Sequence, residues 1–392
     1  MSFDFDKEIR REGTQSVKYD ARRAVFGGED VMPLWVADMD FAAPEAVTRA
    51  LVERAHHPVY GYSLFPDSLY QTMIDWFTSR HDWRIKRESI LMAPGVVPSI
   101  HAAIMAFAKP GEGIIVQSPV YPPFFSSVNK TGRRLVDNPL RLESGRYSMD
   151  LAHLEQCAAQ GARMLILCSP HNPVGRVWDE QELCAVLEIA RRHELMVLSD
   201  DIHCDLVLPG KRHVMLANLA QPGDQIITAV APSKTFNVPG LGLSALVVPD
   251  PEQRHALKQV FETLHMEQAN PFSLTAFEAA YRSGGPWLDA LLEYLQTNRR
   301  FVSEYLREYI PRIALIEPEG TYLLWLDCRG LGLSDACLKA FFIKQAGLGL
   351  NPGISFGDGG SGFMRLNIGT RRANLERAME QLRQAVETMF AK

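Results

Sequence analysis

Lys234 lies in a loop where an ordinary solvated lysine is not expected. The loop, residues 231–242 with the sequence APSKTFNVPGLG, connects two apolar runs at 226–231 and 243–248 that predict buried strands. An ammonium group near low-dielectric walls has a lowered pKa, and the neutral lysine amine is the form that builds a Schiff base with a carbonyl. Taken by itself, a Ser-Lys pair is more typical of a surface hairpin, so the rest of the chain must supply partners.

Polar residues and one glycine follow several other predicted strands directly. Ligands of open α/β sheets bind just beyond the carboxyl ends of the strands, so these residues would share one edge. Each has an ordinary explanation alone, such as a turn, a packing aromatic or a helix cap. A metal cluster at 200–205 is an alternative. One metal would then need three ligands from this short segment, with no second group of ligands elsewhere in the chain, so we expect no metal. The set is Gly95, Tyr121, Asn172, Asp200, Asp201 and His203.

The elements that position these residues alternate between strands and helices. Continuous short apolar runs predict the strands, and this pattern is typical of a mostly parallel sheet covered by helices on both faces. The runs lie at 91–95, 113–118, 163–168, 195–199, 226–231 and 243–248. Helices are predicted at 44–54, 67–81, 96–108 and 182–193.

A break at residues 284–286, Gly-Gly-Pro, divides the pattern. We therefore expect an N-terminal arm, 1–45, that joins the small domain, then a large domain, 46–285, and a C-terminal small domain, 286–392. The last part is predicted to contain a long helix at 287–310, helices at 334–346 and 373–390, and strands at 313–317, 322–327, 349–351 and 363–368.

Composition excludes several classes of protein. The 392 residues are 46% hydrophobic and 22% charged, as in ordinary globular chains of two or three domains. A net charge of −5 with scattered arginine pairs argues against nucleic-acid binding. No apolar run approaches the roughly 20 residues of a membrane span, and the first residues lack a secretory h-region. Six cysteines without CxxC spacing indicate a reducing compartment, so we expect a soluble cytoplasmic protein.

Together these motifs resemble the class I/II aminotransferase family of pyridoxal-phosphate enzymes, known as fold type I, over nearly the whole chain. Within that family the chain looks most like the cystathionine β-lyase, or C–S lyase, branch. The resemblance implies an α/β fold with a large cofactor domain and a smaller α/β domain built from the arm and the C-terminal part. It rests on Val36-Ala-Asp38-Met-Asp-Phe41, Tyr60-Gly-Tyr62-Ser, Cys168-Ser-Pro-His-Asn172-Pro-Val-Gly-Arg-Val-Trp178, Ser199-Asp-Asp-Ile-His203, Pro232-Ser-Lys234-Thr-Phe-Asn-Val-Pro and Met364-Arg365-Leu-Asn.

The resemblance also implies a role for each residue around the pyridoxal 5′-phosphate ring. Lys234 would carry the cofactor covalently and later remove the substrate Cα proton. Asp200 would face the pyridine nitrogen and keep it protonated, so that the ring accepts the electrons of the carbanion. Asn172 and His203 would hydrogen-bond the ring hydroxyl oxygen. Tyr121 would stack on the ring face.

Further roles concern the phosphate and the substrate. The phosphate would bind the N-terminus of the helix that Gly95 opens, on the N–H groups of Val96 and Val97, with the hydroxyl of Ser233. Tyr62 would reach it from the neighbouring subunit of a homodimer with shared active sites. The guanidinium of Arg365 would bind the substrate α-carboxylate with bidentate geometry. The expected substrate-binding set is Arg365, Asp38, Tyr121 and Asn172.

Three departures from the common aminotransferase pattern favour the lyase branch. His203 stands where many of these enzymes have tyrosine, Gly242 stands where they have a phosphate-binding arginine, and Ala231 replaces a common hydroxyl residue. We therefore predict α,β-elimination of cystathionine or related cysteine S-conjugates to pyruvate, ammonia and a thiol, which is homocysteine in the case of cystathionine. The alternatives are an amino-acid aminotransferase and a non-catalytic regulatory protein on the same scaffold.

Overall fold

The computed structural model describes residues 3–391 of the chain. Two principal β-sheets organise this fold. The strands are β1 Met32–Pro33, β2 Ile90–Ala93, β3 Gly113–Val116, β4 Arg134–Asp137, β5 Arg141–Glu143, β6 Arg146–Ser148, β7 Ala162–Cys168, β8 Met196–Asp200, β9 Ile226–Val230, β10 Ser244–Val247, β11 Ala314–Ile316, β12 Leu323–Asp327, β13 Leu348–Gly349, β14 Asn351–Pro352 and β15 Phe363–Asn367. The helices are α1 Val17–Asp20, α2 Arg22–Phe26, α3 Glu45–His56, α4 Asp67–His81, α5 Val96–Phe107, α6 Pro122–Lys130, α7 Leu151–Ala159, α8 Glu180–Arg192, α9 Pro232–Thr235, α10 Pro251–Thr263, α11 Pro271–Ser283, α12 Gly285–Tyr309, α13 Asp335–Lys344 and α14 Arg372–Phe390.

The large sheet has seven strands in the order β2-β10-β9-β8-β7-β3-β4. β10 runs antiparallel to both of its neighbours, whereas the pairs formed by β9, β8, β7, β3 and β4 are all parallel. The predicted fold class, a mostly parallel sheet covered by helices, is therefore confirmed.

Alternate residues of the central strands pack into different hydrophobic clusters. In β3, Ile114 and Val116 join one cluster while Ile115 joins another, and Ile166 and Leu167 of β7 are divided in the same way. Since side chains of a strand point alternately to its two faces, both faces of the sheet are buried. This double burial explains why the sequence shows continuous apolar runs instead of alternation.

The smaller sheet, β11-β12-β15-β14, is antiparallel and forms after the long helix α12. The N-terminal arm is joined to this part of the chain, because β1 pairs in parallel with β13 through Met32 and Leu348. This pairing is consistent with the expected arm, although the domain boundaries at 45 and 285 stay predictions.

The predicted elements recur with shifts of one to a few residues, but several were missed. β4 was not predicted because it lies at the edge of the large sheet, where its side chains are exposed or half-buried and no apolar run results. Helices α6, α7, α10 and α11 were also missed. Within residues 3–391, none of the helices combines the length and apolar character needed to cross a bilayer.

Candidate active site

Three parallel strands bring the predicted residues to one edge of the large sheet. Cys168 at the end of β7 is the register partner of Asp200 at the end of β8, and Asp200 is in turn paired with Ala229 of β9. Asn172 follows β7 and Lys234 follows β9, so both emerge beside Asp200. The strand-end argument from the sequence therefore holds for these three residues.

Lys234 is half-buried on the short helix α9. Burial lowers the pKa of its amine to about 8, and the nearby Arg365 cation acts in the same direction while the Asp38 and Asp200 carboxylates oppose it. Nζ donates a hydrogen bond to the carbonyl oxygen of Ala37 at 2.8 Å. The amine of Lys234 therefore loses its proton more readily than that of an ordinary lysine, as the loop context predicts.

A cavity of about 240 Å³ lies in front of this amine. Of the predicted cofactor residues, those that line it are Gly95, Val96, Val97, Tyr121, Asn172, Asp200, His203, Ser233 and Lys234. The neighbouring walls are largely apolar and include Ile202 and Leu243. A mainly apolar cavity with a few convergent polar groups is the usual form of a cofactor site.

Asp200 is a buried carboxylate at the bottom of the cavity. One oxygen accepts a hydrogen bond from the backbone N–H of Ile202 at 3.2 Å. Burial raises its pKa to about 7, and the adjacent Asp201 contributes in the same direction. Such a group is stabilised by a ligand that brings an N–H donor or a cation, and a pyridinium nitrogen is both.

His203 has the opposite electrostatic character. Burial, with the Lys234 and Arg365 cations nearby, lowers the pKa of its imidazole to about 3, so the ring is neutral. Its Nδ1 atom has no hydrogen-bond partner within residues 3–391. Tyr121 is the N-cap residue of α6, and burial raises the pKa of its phenol, so its ring stays uncharged at the cavity wall.

The N-terminus of helix α5 lies at the cavity. Gly95 is its N-cap and makes no side-chain cap, and Val96 and Val97, whose N–H groups are among the first of the helix, line the cavity, as an anion site requires. Ser233 lies on the same lining. A Cβ atom at Gly242 would stand 2.8 Å from the carbonyl oxygen of Pro94, so a larger residue there would force a backbone shift.

These observations show that the residues fit pyridoxal 5′-phosphate. The cavity offers an amine with a lowered pKa for its aldehyde, a buried carboxylate for its ring nitrogen and the N-terminal N–H groups of a helix for its phosphate. Among residues 3–391, Nδ1 of His203 is an additional buried polar atom without a hydrogen-bond partner.

Arg365 lies on β15 of the small sheet and is buried. Its Nη1 donates to Oδ1 of Asn172 at 3.0 Å and its Nη2 donates to the carbonyl oxygen of Trp35 at 2.9 Å. Burial lowers the pKa of its guanidinium to about 10, and the groups that counteract this are the tyrosines 121 and 322 rather than carboxylates. A buried cation held by neutral acceptors can still bind a carboxylate.

Besides Arg365, two predicted residues, Asp38 and Tyr62, do not line the cavity. The carboxylate of Asp38 is bound by both terminal nitrogens of Arg11, at 3.0 and 2.8 Å, and the neighbouring Ala37 lines the cavity instead. The side chain of Tyr62 is 95% exposed on a surface loop. The substrate role of Asp38 and the contact of Tyr62 with a neighbouring subunit stay predictions.

Several supporting residues were missed from the sequence because they act over long separations. Tyr322 donates to the same Ala37 oxygen at 2.8 Å, and the Asn367 amide donates to Val36 and Asp38 carbonyl oxygens at 2.6 and 2.7 Å. Residues 35–38 thus form an arm segment whose carbonyl oxygens accept hydrogen bonds from side chains of distant elements, with only Ala37 of the segment lining the cavity. The only signal for this segment was its place in the motif 36–41.

Asp205 supports the Lys234 loop from behind. Its carboxylate accepts hydrogen bonds from Trp76 at 3.1 Å, His81 at 2.7 Å and Thr235 at 2.9 Å, and Thr235 is the residue after the lysine. Asp205 also forms, with His81 and Cys204, a buried group whose possible metal-ligand atoms lie within 4.8 Å of one another, so the expectation of no metal at 200–205 stays a prediction.

Fold and site together define a pyridoxal-phosphate-dependent enzyme of fold type I. The family described as aminotransferase class I and II matches residues 29–382, and the chain belongs to this family. It is 41% identical over 384 residues, 97% of this chain and 99% of the relative, to cystathionine β-lyase PatB of Bacillus subtilis strain 168. It is 31% identical to protein MalY of Escherichia coli strain K12, over 99% of this chain and 100% of that protein.

Solved structures give the same result. Cystalysin from Treponema denticola, which contains a pyridoxal 5′-phosphate cofactor, superposes with a TM-score of 0.96 at 34% identity over 99% of this chain and all of that chain. The C–S lyase of Staphylococcus hominis in complex with L-cycloserine superposes with a TM-score of 0.93 at 28% identity, over 98% of each chain.

Proposed function

We propose that this protein is a pyridoxal-phosphate-dependent carbon–sulfur β-lyase that cleaves cystathionine or related cysteine S-conjugates. The observation that carries the proposal is the assembly of Lys234, Asp200, Asn172 and His203 around one cavity in a chain that is 41% identical to a cystathionine β-lyase over nearly its whole length. Gly242 adds support, because the arginine that binds phosphate in many aminotransferases would bring a Cβ atom within 2.8 Å of the Pro94 carbonyl oxygen and require the backbone to shift.

Each residue has a defined task in this reaction. The bound cofactor supplies an electron sink for the charge left at Cα. Arg365 binds the α-carboxylate and orients the substrate, while the partly neutral Lys234 takes the Cα proton. Asp200 would hold the charge of the pyridine nitrogen, Asn172 and the neutral His203 would bind the ring oxygen, and Tyr121 would pack on the ring.

The overall reaction balances without an added oxidant or second substrate. The Cα–H and Cβ–S bonds break, the thiolate leaves and is protonated, and the released aminoacrylate reacts with one water to give pyruvate and ammonia. With cystathionine the thiol is homocysteine. The assay is purified holoenzyme with cystathionine and no keto acid. Catalytic release of pyruvate and thiol is expected, and strict dependence on a keto acid without thiol release would contradict the proposal.

An aminotransferase is the second candidate, because one full-length structural neighbour is described as a putative aminotransferase. This protein from Clostridium difficile 630 superposes with a TM-score of 0.96 at 38% identity over 98% of this chain and all of that chain. Both reactions use the same lysine and the same electron sink. The assay without keto acid separates them, since transamination stops after one turnover. A non-catalytic role is disfavoured by the intact site.

We also propose a homodimer in which Tyr62 completes the phosphate site of the neighbouring subunit. In the loop that carries Tyr62, this residue is 95% exposed and Leu64 is 90% exposed, which is unusual for large apolar residues on a free surface. Light scattering should give twice the chain mass. Mixing inactive Lys234→Ala and weakly active Tyr62→Ala chains should restore activity, because one of the two sites in a mixed dimer is then intact. An unchanged activity after subunit exchange would contradict the shared site.

A cytoplasmic location is supported by the six free cysteines, four of which are buried. Fractionation of the source cells tests it.

A further inference from the structure

The guanidinium of Arg365 has a third acceptor that the motifs do not reveal. Its Nη2 donates a hydrogen bond to Oδ1 of Asn351 at 2.8 Å, in addition to the contacts with Asn172 and Trp35. The Nε atom has no acceptor within residues 3–391. Because a guanidinium has more N–H donors than these three oxygens use, donors remain for an incoming carboxylate.

Asn351 is held beside Arg365 by the sheet itself. β14 pairs with β15 so that Asn351 and Arg365 are direct register partners, and such partners project from the same face. The backbone after β14 is tightly constrained, since a Cβ atom at Gly353 would lie 2.2 Å from the carbonyl oxygen of Gly360. The strand pairing and the close packing of the following turn therefore hold the backbone that carries Asn351 beside Arg365.

The Phe356 ring fixes the other side of the cation. The Cζ atom of Arg365 lies 4.9 Å from the centroid of this ring, which in turn packs against Trp325. Ring, amide and backbone carbonyl together restrict the guanidinium plane. All of these partners are uncharged, so they orient the cation without neutralising it.

We propose that Asn351 is a positioning residue that orients Arg365 and keeps it unpaired for the substrate α-carboxylate. This inference rests on the proposed function only in that Arg365 binds the α-carboxylate of an amino acid. The uncharged amide is essential to it. An aspartate at this position would have nearly the same shape and would still accept the hydrogen bond, but it would pair with Arg365 and compete with the substrate.

The test uses holoenzyme variants and an unreactive probe. 2-Methylalanine has an α-carboxylate but no Cα proton, and tert-butylamine replaces the carboxylate with a methyl group. Binding is measured from the shift of the thermal midpoint with probe concentration. We expect Asn351→Asp to raise the Kd of 2-methylalanine by about tenfold or more and Asn351→Ala by roughly three- to tenfold, with little change for tert-butylamine.

A merely structural role predicts a different result. In that case Asn351→Asp, which keeps shape and acceptor, would rescue binding relative to Asn351→Ala, or both probes would weaken equally. Either outcome overturns the proposal. The control Ser355→Asp adds the same charge to the exposed turn that follows, and an equally large loss of 2-methylalanine binding in it would also overturn the proposal.

The expected thermal midpoint of Asn351→Asp without probe equals or exceeds that of the unchanged protein, because the new carboxylate pairs with a buried cation. If Asn351→Asp does not fold, Asn351→Ala decides. Weaker binding of 2-methylalanine with unchanged binding of tert-butylamine supports the proposal, and equal weakening of both probes overturns it. Since 2-methylalanine undergoes neither elimination nor transamination, failure of the lyase assay leaves this test intact, and failure here leaves the lyase assay intact.

Discussion

The amine of Lys234 and the carbonyl oxygen of Ala37 are joined by a 2.8 Å hydrogen bond, although the two residues are 197 positions apart. Tyr322 donates to the same oxygen, and the side chain of Asn237 binds the backbone of Met39 and Phe41. The lysine loop is therefore bound to the arm at Ala37 through Lys234 and at Met39 and Phe41 through Asn237. The lysine amine therefore bonds a neutral acceptor rather than a carboxylate. Its pKa is lowered to about 8 because burial disfavours the charged form.

Replacement of the lysine tests the cofactor assignment. Lys234→Ala is expected to lose the visible absorbance of the covalently held cofactor and to reduce activity by about 10²–10⁴-fold or more, because the amine is both the attachment point and the proton acceptor. Absorbance spectra and kcat check this. The exposed Lys258→Ala on α10 is the matched control and should leave both unchanged. A coloured, active Lys234→Ala protein would refute the assignment.

The buried Asp200 predicts a pH-dependent stability of the cofactor-free protein. Burial raises the folded-state pKa to about 7 from 3.8, so the carboxyl group binds more protons when folded than when unfolded. Its contribution to stability is fully present below about pH 4 and is lost as the pH rises through about 7. Asp200→Asn should remove this loss and stabilise the cofactor-free protein at neutral pH by roughly 1–4 kcal/mol.

Urea unfolding of the two cofactor-free proteins between pH 4 and 8 checks this prediction. The difference between their free energies of unfolding should grow as the pH rises from 4 to 8. A difference that stays constant over this range would contradict the prediction. The same substitution should weaken cofactor retention and abolish turnover, because the amide cannot hold a protonated pyridine nitrogen. Asp75→Asn, the same substitution at an exposed residue outside the cavity lining, serves as a control for the cofactor readout.

The Asp205 cluster predicts a stability effect at a distance from the reacting atoms. Asp205→Ala removes the acceptor of three buried donors and should cost about 3–5 kcal/mol of unfolding free energy. It should also loosen the cofactor, since Thr235 is adjacent to the lysine. The comparison is Asp289→Ala, whose partner Arg80 is a surface group, with an expected cost of about 0–1 kcal/mol. Equal losses in both variants would contradict the anchoring role.

The close contact at Gly242 predicts that introducing the phosphate-binding arginine of many aminotransferases at this position will not improve cofactor binding. Gly242→Ala and Gly242→Arg should both weaken cofactor binding, measured as the Kd for pyridoxal 5′-phosphate, because a Cβ atom meets the Pro94 carbonyl beside the α5 N-terminus. Gly240→Ala is the matched control, since no atom lies within 4 Å of its new Cβ. Tighter cofactor binding by Gly242→Arg would show that the backbone adapts and would remove this steric support for the lyase assignment.

The sequence by itself determined the strand ends and the residues that follow them. Continuous apolar runs identify doubly covered parallel strands, and the carboxyl ends of such strands meet at one edge, so Asn172, Asp200 and Lys234 are brought together by local pattern and topology alone. The lowered pKa of the lysine was predictable for the same reason, because its loop lies between two buried strands.

Only the tertiary structure decided which groups support these residues. The Ala37 carbonyl, the Asn351 amide and the Asp205 carboxylate reach the site from distant elements, and no spacing in the chain marks them. The contact of Gly242 with Pro94 depends on β2 and β10 lying side by side, and the pairing of Asp38 with Arg11 depends on the path of the arm. Hydrogen bonds and close packing are short-ranged, so these partnerships exist only once the backbone has brought distant residues within a few ångströms.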